Sequence, residues 1–413
     1  VSEAALSSLL SGACEGLSRV GVAVSGGGDS VALLVLAVEA LGAARVAAVT
    51  VDHGLRAEAA AEAAGVAALC QRLGVRHEVL RWDEGPAGGN LMDEARAARL
   101  SLIGGWARGR VDAVLLGHTL DDQAETVLMR LARGSGVDGL SGMEARRESG
   151  GLLWLRPFLG VSRDALRSEL RARGIGWVED PSNADPRFLR VRARQALSVL
   201  RDLGIEAQGL AETADRMRRA RQVLEGEAQR ALDALVTEER GVLRIDPAAL
   251  DLPGETRDRL FAHLLMQLSG HPYRPRLEDL QRLLAAGQGT LMGCLLQRRG
   301  KALLLGREAQ ALRGVVCAAD AAWDGRWQAE GPDAACEIRV MGEAGLAHLS
   351  RLAAKGEIPH WRETQLPRSL LQGLPGLWRG EALVAAPLVL WPQGWTLSAR
   401  PLAAICTKTS QSH

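Results

Sequence analysis

Two stretches of the chain gather residue types that do chemistry, each where a short apolar run gives way to a helical pattern. The first is Ser25-Gly26-Gly27-Gly28-Asp29-Ser30, between apolar runs at 20–24 and 31–38. Contiguous glycines let the backbone turn tightly and approach a ligand, and a turn that opens a helix aims several N–H groups at one point. That arrangement suits an anion, with a carboxylate directly behind it. The second stretch is "LLGHTLDDQAETVLMRLARGSGVDGL", residues 115–140. Thr119 and Asp122 have the spacing of a capping box, and Leu120, Ala124, Val127, Leu128 and Leu131 form an apolar stripe expected to face the core. Capping explains one acid, but Asp121, Asp122 and Glu125 crowd the first turn and a half beside His118. Such a cluster suits a magnesium ion or an ammonium group; with one local imidazole among hard oxygens, a transition metal is disfavoured.

The glycine loop fails several phosphate and nucleophile templates. No Lys-Ser/Thr pair follows a GxxxxG as a Walker loop requires, and the contiguous glycines do not match GxGxxG. Neither Ser25 nor Ser30 lies in GxSxG. Gly28-Asp29-Ser30 does match the first block of GDS-type esterases, with Ser30 as nucleophile. Those enzymes need a late Asp-x-x-His, and none of the 8 histidines has Asp three residues before it; Glu357-x-x-His360 comes nearest.

Positioning these groups requires a regular scaffold, and the first half of the chain supplies its rhythm. Strands are predicted near 20–24, 45–51, 76–81 and 111–117, alternating with helices at 30–41, 57–74, 91–108 and 120–133. This is the pattern of an α/β, doubly wound parallel sheet. Ligands in such sheets bind at the carboxyl ends of the strands, where both stretches fall. From 162 to 230 the pattern is helical and Arg-rich, interrupted by the Pro- and Asx-rich loop "EDPSNADPRF". Two helices are expected over 255–286, a hairpin over 290–308 about an Arg-Arg-Gly-Lys turn, and a small β-rich domain from about 314.

The 413 residues imply two or three domains, and 47% hydrophobic with 24% charged residues is ordinary for a globular protein. The run at 31–38 is too short to span a bilayer, and with no leader pattern a cytoplasmic location is expected. Six scattered cysteines without CxxC or zinc spacing read as reduced thiols. Net charge is +1 overall but uneven: residues 1–125 hold 10 Arg against 16 acids, and residues 187–221 hold 9 Arg against 4. A basic segment behind an acidic domain suggests a polyanion partner, or an Arg-rich solvated helix face.

Ser-Gly-Gly-x-Asp-Ser resembles the pyrophosphate loop of the N-type ATP pyrophosphatases. The motifs SGGGDS (25–30), TVDHGLR (50–56), GN…EARAAR (89–99), GHTLDDQAETVLMRLARGSGVDGLSGM (117–143), RPFLGVSR (156–163) and EDPSNADPRFLRVRAR (179–194) resemble, in order, the tRNA(Ile)-lysidine synthetase family over about residues 18–200. That resemblance implies an adenine nucleotide alpha-hydrolase-like sheet with C-terminal helical and small β-rich domains. Catalysis would occupy 1–200, a helical linker 201–235, a small α+β tRNA-binding domain 236–310 and a β-rich domain 311–413. It implies ATP and Mg2+ as cofactors. It also implies ligation of free L-lysine to the wobble cytidine of CAU-anticodon tRNA(Ile), through an adenylated cytidine; a homodimer is compatible with the sequence.

Carried over residue by residue, Ser25, Gly26, Gly27, Gly28, Asp29 and Ser30 would cradle pyrophosphate, with Asp52, His53 and His118 as further nucleotide positions. Asp52 and His53 equally suit a structural role at the end of the second strand. Asp29 would help place magnesium or pyrophosphate, with Asp121 as a second metal position. Asp122 and Glu125 match the lysine site, and Arg190 and Arg194 the basic positions near phosphate or the anticodon. Arg192 is equally a surface residue. Two departures stand out: Val191 where the family often has Asn, and Gly28 at the variable loop position, which contributes no side chain. A cytidine thiolase would need a cysteine constellation and an amidotransferase-coupled synthetase a Cys–His glutaminase motif, and neither is present. A catalytically dead tRNA-binding module would not require Asp29, Asp122 and Glu125 beside a phosphate cradle.

Overall fold

The computed structural model describes residues 2–52, 54, 59–82, 91–179 and 185–405. His53 and residues 180–184 of the expected loop lie outside the described residues. Contacts divide the chain into a unit ending at Arg221 and a unit beginning at Gln222.

The first unit opens with α1 (Glu3–Ala13), β1 (Val20–Ala23), α2 (Gly28–Leu41), β2 (Val46–Asp52), α3 (Ala59–Arg72) and β3 (Arg76–Arg81). It continues with α4 (Leu91–Ala107), β4 (Ala113–Leu116), α5 (Leu120–Leu131), α6 (Val137–Leu140), β5 (Arg146–Ser149) and β6 (Leu152–Leu155). The helices α7 (Arg163–Ala172), α8 (Leu189–Leu200) and α9 (Ala207–Leu235) follow, and α9 carries the chain onward. Each element expected between 20 and 133 is present within two residues of its predicted bounds. The six-stranded sheet has the order β3-β2-β1-β4-β6-β5 and is parallel except at its β5 edge.

Both faces of the sheet are covered at its centre, so β1, β4 and β6 are buried and almost wholly apolar along their length, as buried parallel strands must be. Val20, Val22, Ala113 and Leu115 join one core with Leu33 and Leu34 of α2 and Leu166 and Leu170 of α7. The alternate residues Ala23, Val114 and Leu116 join a second core with Ile103 and Trp106 of α4. Helix α2 is buried without a break from Ser30 to Ala37, which explains why its sequence is apolar around its whole circumference.

The strand order carries the functional consequence. From β1 the chain passes on to β2 on one flank, whereas β4, on the other flank of β1, leads on to β6. The connections therefore diverge between β1 and β4, opening a crevice at the carboxyl ends of these two strands. Gly117, just after β4, approaches the opposite wall so closely that a Cβ there would lie 3.0 Å from the Asp29 carbonyl oxygen.

The hairpin β5–β6 was not anticipated, because its outer arm, Arg146–Ser149, is charged and shows no apolar alternation. Its turn residues Gly150 and Gly151 both take positive φ (61° and 74°), as primed two-residue hairpins require.

In the second unit, β7 (Val236–Glu239), β8 (Val242–Ile245), α10 (Gly254–Ser269), α11 (Leu277–Ala286), β9 (Gly289–Leu291), β10 (Cys294–Arg299) and β11 (Ala302–Arg307) build a five-stranded sheet that shares a core with α10, α11 and the end of α9. The expected helix pair and hairpin are both there. Beyond them, β12 (Val316–Ala318), β13 (Trp327–Glu330), β14 (Glu337–Val340), α12 (Gly342–Ala354), α13 (Arg368–Gln372), β15 (Pro375–Arg379), β16 (Ala382–Ala385) and β17 (Thr396–Ala399) form a four-stranded and a two-stranded sheet. The region is β-rich as expected, with α12 as an unanticipated helix. Among the described residues no helix is long and apolar enough to cross a membrane.

One surface carboxylate ties the start of β1 to the turn before β4. Asp112 Oδ2 accepts the N–H groups of Ser18 (2.6 Å) and Arg19 (2.9 Å). These amide bonds lower its pKa below the usual carboxylate value. A carboxyl depressed in the folded state stabilises fully above its unfolded pKa of about 3.9 and loses that contribution as pH falls through the folded value. Asp112→Asn should therefore lose less Tm than the parent chain between pH 5 and pH 3, measured by thermal denaturation.

Candidate active site

The loops after β1 and β4 build the site. Val24 continues the β1 pairing by donating its N–H to the Val49 carbonyl (2.9 Å). Gly26 then turns the chain at φ 88°, in the region that favours glycine, and its carbonyl accepts the Val178 N–H (3.0 Å). Two hydroxyls lock the loop from within: Ser30 Oγ donates to the Gly27 carbonyl (2.9 Å) and accepts the Ser25 N–H (3.1 Å), with Ser25 Oγ 3.2 Å away. Gly27 caps α2 without a side chain, which leaves the first helical turn uncovered for an anion. Gly28 is a place of close approach: a Cβ there would meet the Trp177 indole at 3.2 Å.

Across the crevice, Thr119 and Asp122 form the expected capping box. The Thr119 N–H and Oγ1 both donate to Asp122 Oδ2 (2.9 Å each), and the Asp122 N–H donates to Thr119 Oγ1 (3.4 Å). The apolar stripe is shorter than expected. Leu120, Ala124 and Val127 are buried, Leu128 is half-buried, and Leu131 is 53% exposed, so the core covers only the first two turns of α5. The buried face is instead polar: Asp122, Gln123, Glu125 and Thr126 are all enclosed, Glu125 at 0% exposure.

Arg163, the first residue of α7, brings the two halves together. Its Nε donates to Asp29 Oδ2 at 3.0 Å and its Nη2 to Asp122 Oδ1 at 3.2 Å, while Nη1 lies 3.6 Å from Glu125 Oε1. Its backbone N–H donates to Asp121 Oδ2 (2.7 Å). Sequence reasoning passed over this residue, although it ends the RPFLGVSR motif. The signal was a cation at the first helical position, where the helix dipole opposes it. Arg194 Nε donates to Glu125 Oε1 (2.8 Å), so this arginine is engaged inside the site. Arg190 makes itself felt electrostatically at both Asp122 and His118. Arg192 is exposed and Val191 buried, so position 191 packs into the protein interior.

The basic run at 187–221 is thus not one patch. Arg221 pairs with Glu144, and Arg218 donates to the carbonyls of Ser141 (3.3 Å) and Met143 (3.2 Å), so part of its charge fastens the loop after α6. Gln123 clasps the same loop, donating to the Met143 carbonyl (3.1 Å) and accepting its N–H (2.7 Å). Arg130 donates to the carbonyls of Gly139 (2.8 Å) and Gly142 (3.1 Å). Asp52 ends β2: its Oδ1 accepts the Gly54 N–H (2.9 Å) and its carbonyl the Trp82 N–H (3.0 Å).

The protonation states follow from this packing. Burial raises the Asp29 carboxyl above its ordinary value, with Arg163 opposing. Burial also opposes ionisation of Asp122, but the Arg163 and Arg190 charges and the Thr119 amide together hold it below the ordinary range. Burial, with Arg156 nearby, holds His118 well below its usual pKa, so the ring is neutral, and its Nδ1 is enclosed without a partner. Asp29 Oδ1 and Glu125 Oε2 are likewise buried oxygens without hydrogen-bond partners. Magnesium is commonly held by one or two carboxylates together with substrate phosphates, and the open oxygen of Asp29 beside the glycine loop fits that role.

In the second unit, Arg298, Arg299, Arg362 and Arg368 line a cavity of about 540 Å³ with Trp361 and Gln297. The Arg362 guanidinium lies over the Trp361 ring, 5.1 Å from its centroid.

A parallel sheet with a glycine turn at its switch point, facing carboxylates from the next loop, defines an ATP pyrophosphatase of the PP-loop class. A family model described as the PP-loop domain matches residues 2–200. A tRNA(Ile)-lysidine synthase of Ruegeria pomeroyi is 45% identical over 387 residues, covering 92% of this chain and 90% of that protein. One of Methylobacterium nodulans is 44% identical over 303 residues, covering 70% of this chain and 89% of that protein. Among solved structures, a U34-tRNA thiolase of Methanococcus maripaludis matches with a TM-score of 0.44 and 15% identity, covering 52% of this chain and 78% of that one. The chain belongs to the tRNA(Ile)-lysidine synthase family and is an ATP-using tRNA-modifying ligase.

Removing the cap at Thr119 tests the packing of the acidic turn. Thr119→Ala should cost about 1 kcal/mol of unfolding free energy, the usual worth of an N-cap, read by urea denaturation.

Proposed function

We propose that the crevice between β1 and β4 carries out both half-reactions of lysidine formation, with each half assigned to one wall. The observation that supports this is the reach of a single guanidinium: Arg163 touches Asp29 on the loop wall and Asp122 and Glu125 on the α5 wall. Groups serving the nucleotide and groups serving an amine therefore lie within one side chain's span.

In the first half, the carbonyl oxygen at position 2 of the wobble cytidine attacks the α-phosphorus of ATP and pyrophosphate leaves. Residues Ser25–Ser30 and the α2 N-terminus receive the phosphate charge that develops, and preorganised donors of this kind need no reorganisation as it builds. Asp29 holds magnesium, which neutralises phosphate charge when bound; Asp121 is its second candidate ligand. In the second half, the lysine ε-amine attacks carbon 2 and AMP departs. The incoming ammonium must first lose a proton; Asp122, held ionised by its surroundings, is suited to pair with and orient it, and the proton passes to the Asp122–Glu125 pair. Glu125, fully buried and paired with Arg194, completes the amine pocket. Arg190, whose charge acts on both Asp122 and His118, is suited to phosphate. Asp52 and His53 are retained as outer nucleotide positions.

The C-terminal segments 236–310 and 311–413 would grip the tRNA. The four-arginine cavity beside Trp361 supports this, since guanidinium groups pair with phosphates.

Labelled lysine supplied with CAU-anticodon tRNA(Ile) and ATP should be retained on the tRNA, with AMP and pyrophosphate released together. In the same assay Asp122→Asn should slow lysine transfer far more than adenylation, by about a hundredfold as expected for loss of a general base. Equal loss of both steps would assign Asp122 to the metal instead.

A further inference from the structure

The cation in the acidic pocket belongs to the protein itself. Arg163 is only 13% exposed, and it spends all three guanidinium nitrogens on Asp29, Asp122 and Glu125. It does so from the first position of α7, where the helix dipole repels a positive charge, so α7 itself gains nothing from a cation there. Arg163 is the one cation that reaches all three carboxylates; Arg194 pairs with Glu125 alone, and Arg190 and Arg167 act electrostatically on Asp122 and Asp29. Yet Glu125 Oε2, on a side chain with no exposure, and Asp29 Oδ1 remain without hydrogen-bond partners. A buried carboxylate oxygen left without a donor is costly, so the pocket is built to accept a further cationic donor.

We propose that Arg163 is a placeholder for the lysine ammonium, drawn off the pocket when nucleotide phosphates fill the glycine loop, so that ATP binding opens the amine site. This rests on the assignment of Asp122 and Glu125 to lysine made above. The guanidinium already lies at the edge of the phosphate cradle, since Asp29 is the second residue of α2, whose first turn forms that cradle. A polyphosphate there presents several charged oxygens in the fork geometry that arginine prefers. Magnesium bound to Asp29 competes for one of the three carboxylates that hold Arg163. Moving the guanidinium toward phosphate takes one positive charge from beside Asp122 and Glu125, which one ammonium restores. Free lysine would then be excluded until nucleotide is in place.

The test is equilibrium dialysis of labelled lysine against the full chain without tRNA, alone and with magnesium and α,β-methylene ATP, which cannot be cleaved at the scissile bond. Lysine affinity of the parent chain should rise about tenfold or more with the nucleotide, within the range of ordinary site–site coupling. Arg163→Met should bind lysine without nucleotide at least as tightly as the nucleotide-loaded parent, and the nucleotide should change its affinity little. Arg163→Lys, which keeps a cation, should retain the coupling. A residue needed only for structure would lose binding on removal and could not gain it. Parent affinity independent of nucleotide, or Arg163→Met that binds no lysine or remains fully coupled, would overturn the proposal. Glu125→Gln placed on Arg163→Met should abolish the gained binding. Lysine binding that survives in this double variant would show the amine pocket to be elsewhere, and so overturn the site assignment and not the coupling alone.

Discussion

Everything at the site depends on the divergence of two connections between adjacent parallel strands. Because the chain leaves β1 toward one flank of the sheet and β4 toward the other, the turns that follow them touch at Gly117 and diverge beyond it, leaving a crevice. One wall is a helix N-terminus with glycines in place of side chains; the other is a capped helix start with three acids. The walls carry opposite electrostatic character, one suited to phosphate and one to a cation. The sheet sets their separation, and the side chain that spans it is Arg163.

Helix α5 shows how much stability such a site puts at stake. Its buried face holds two carboxylates, an amide and a hydroxyl where an ordinary surface helix would bury leucines. All but one of these polar atoms are matched: Thr126 Oγ1 donates to the Asp122 carbonyl (2.7 Å), Gln123 to the loop after α6, and Glu125 Oε1 receives Arg194, while Glu125 Oε2 is left open. Removing one partner of a buried charge pair costs more than the intact pair contributes, so these residues are bound to one another as tightly as any apolar core.

Much of this was legible in the sequence because it is local. The strand–helix rhythm, the glycine turn and the Thr119–Asp122 cap each lie within one short window, and each has the form that its residues require. What stayed hidden was either long-range or charged. Arg163 is far from Asp29 in sequence and meets it only because α7 packs on α2, a contact made by apolar residues that carry no record of it. The charged arm of β5 borrows its strand character from pairing with β6. Leu131 fits a helical stripe by period, but period cannot tell where the neighbouring core ends. The arginines of 187–221 read as one basic face, and only the fold separates those that face inward from those that face water.

Gln123 shows what a recognisable sequence signature records. Its amide reads both the N–H and the carbonyl of Met143, and Gly142 lies so close that a Cβ there would fall 2.7 Å from Gln123 Nε2. Glutamate would oppose one carbonyl with a carboxylate, and asparagine would fall short by a carbon, so the geometry admits essentially one side chain. Together with Arg130, these letters of the long motif are reserved for architecture, and those that face substrate are fewer. A search keyed to this motif therefore detects a manner of folding a loop, and a chain stripped of its chemistry at Glu125 alone would still be found by it.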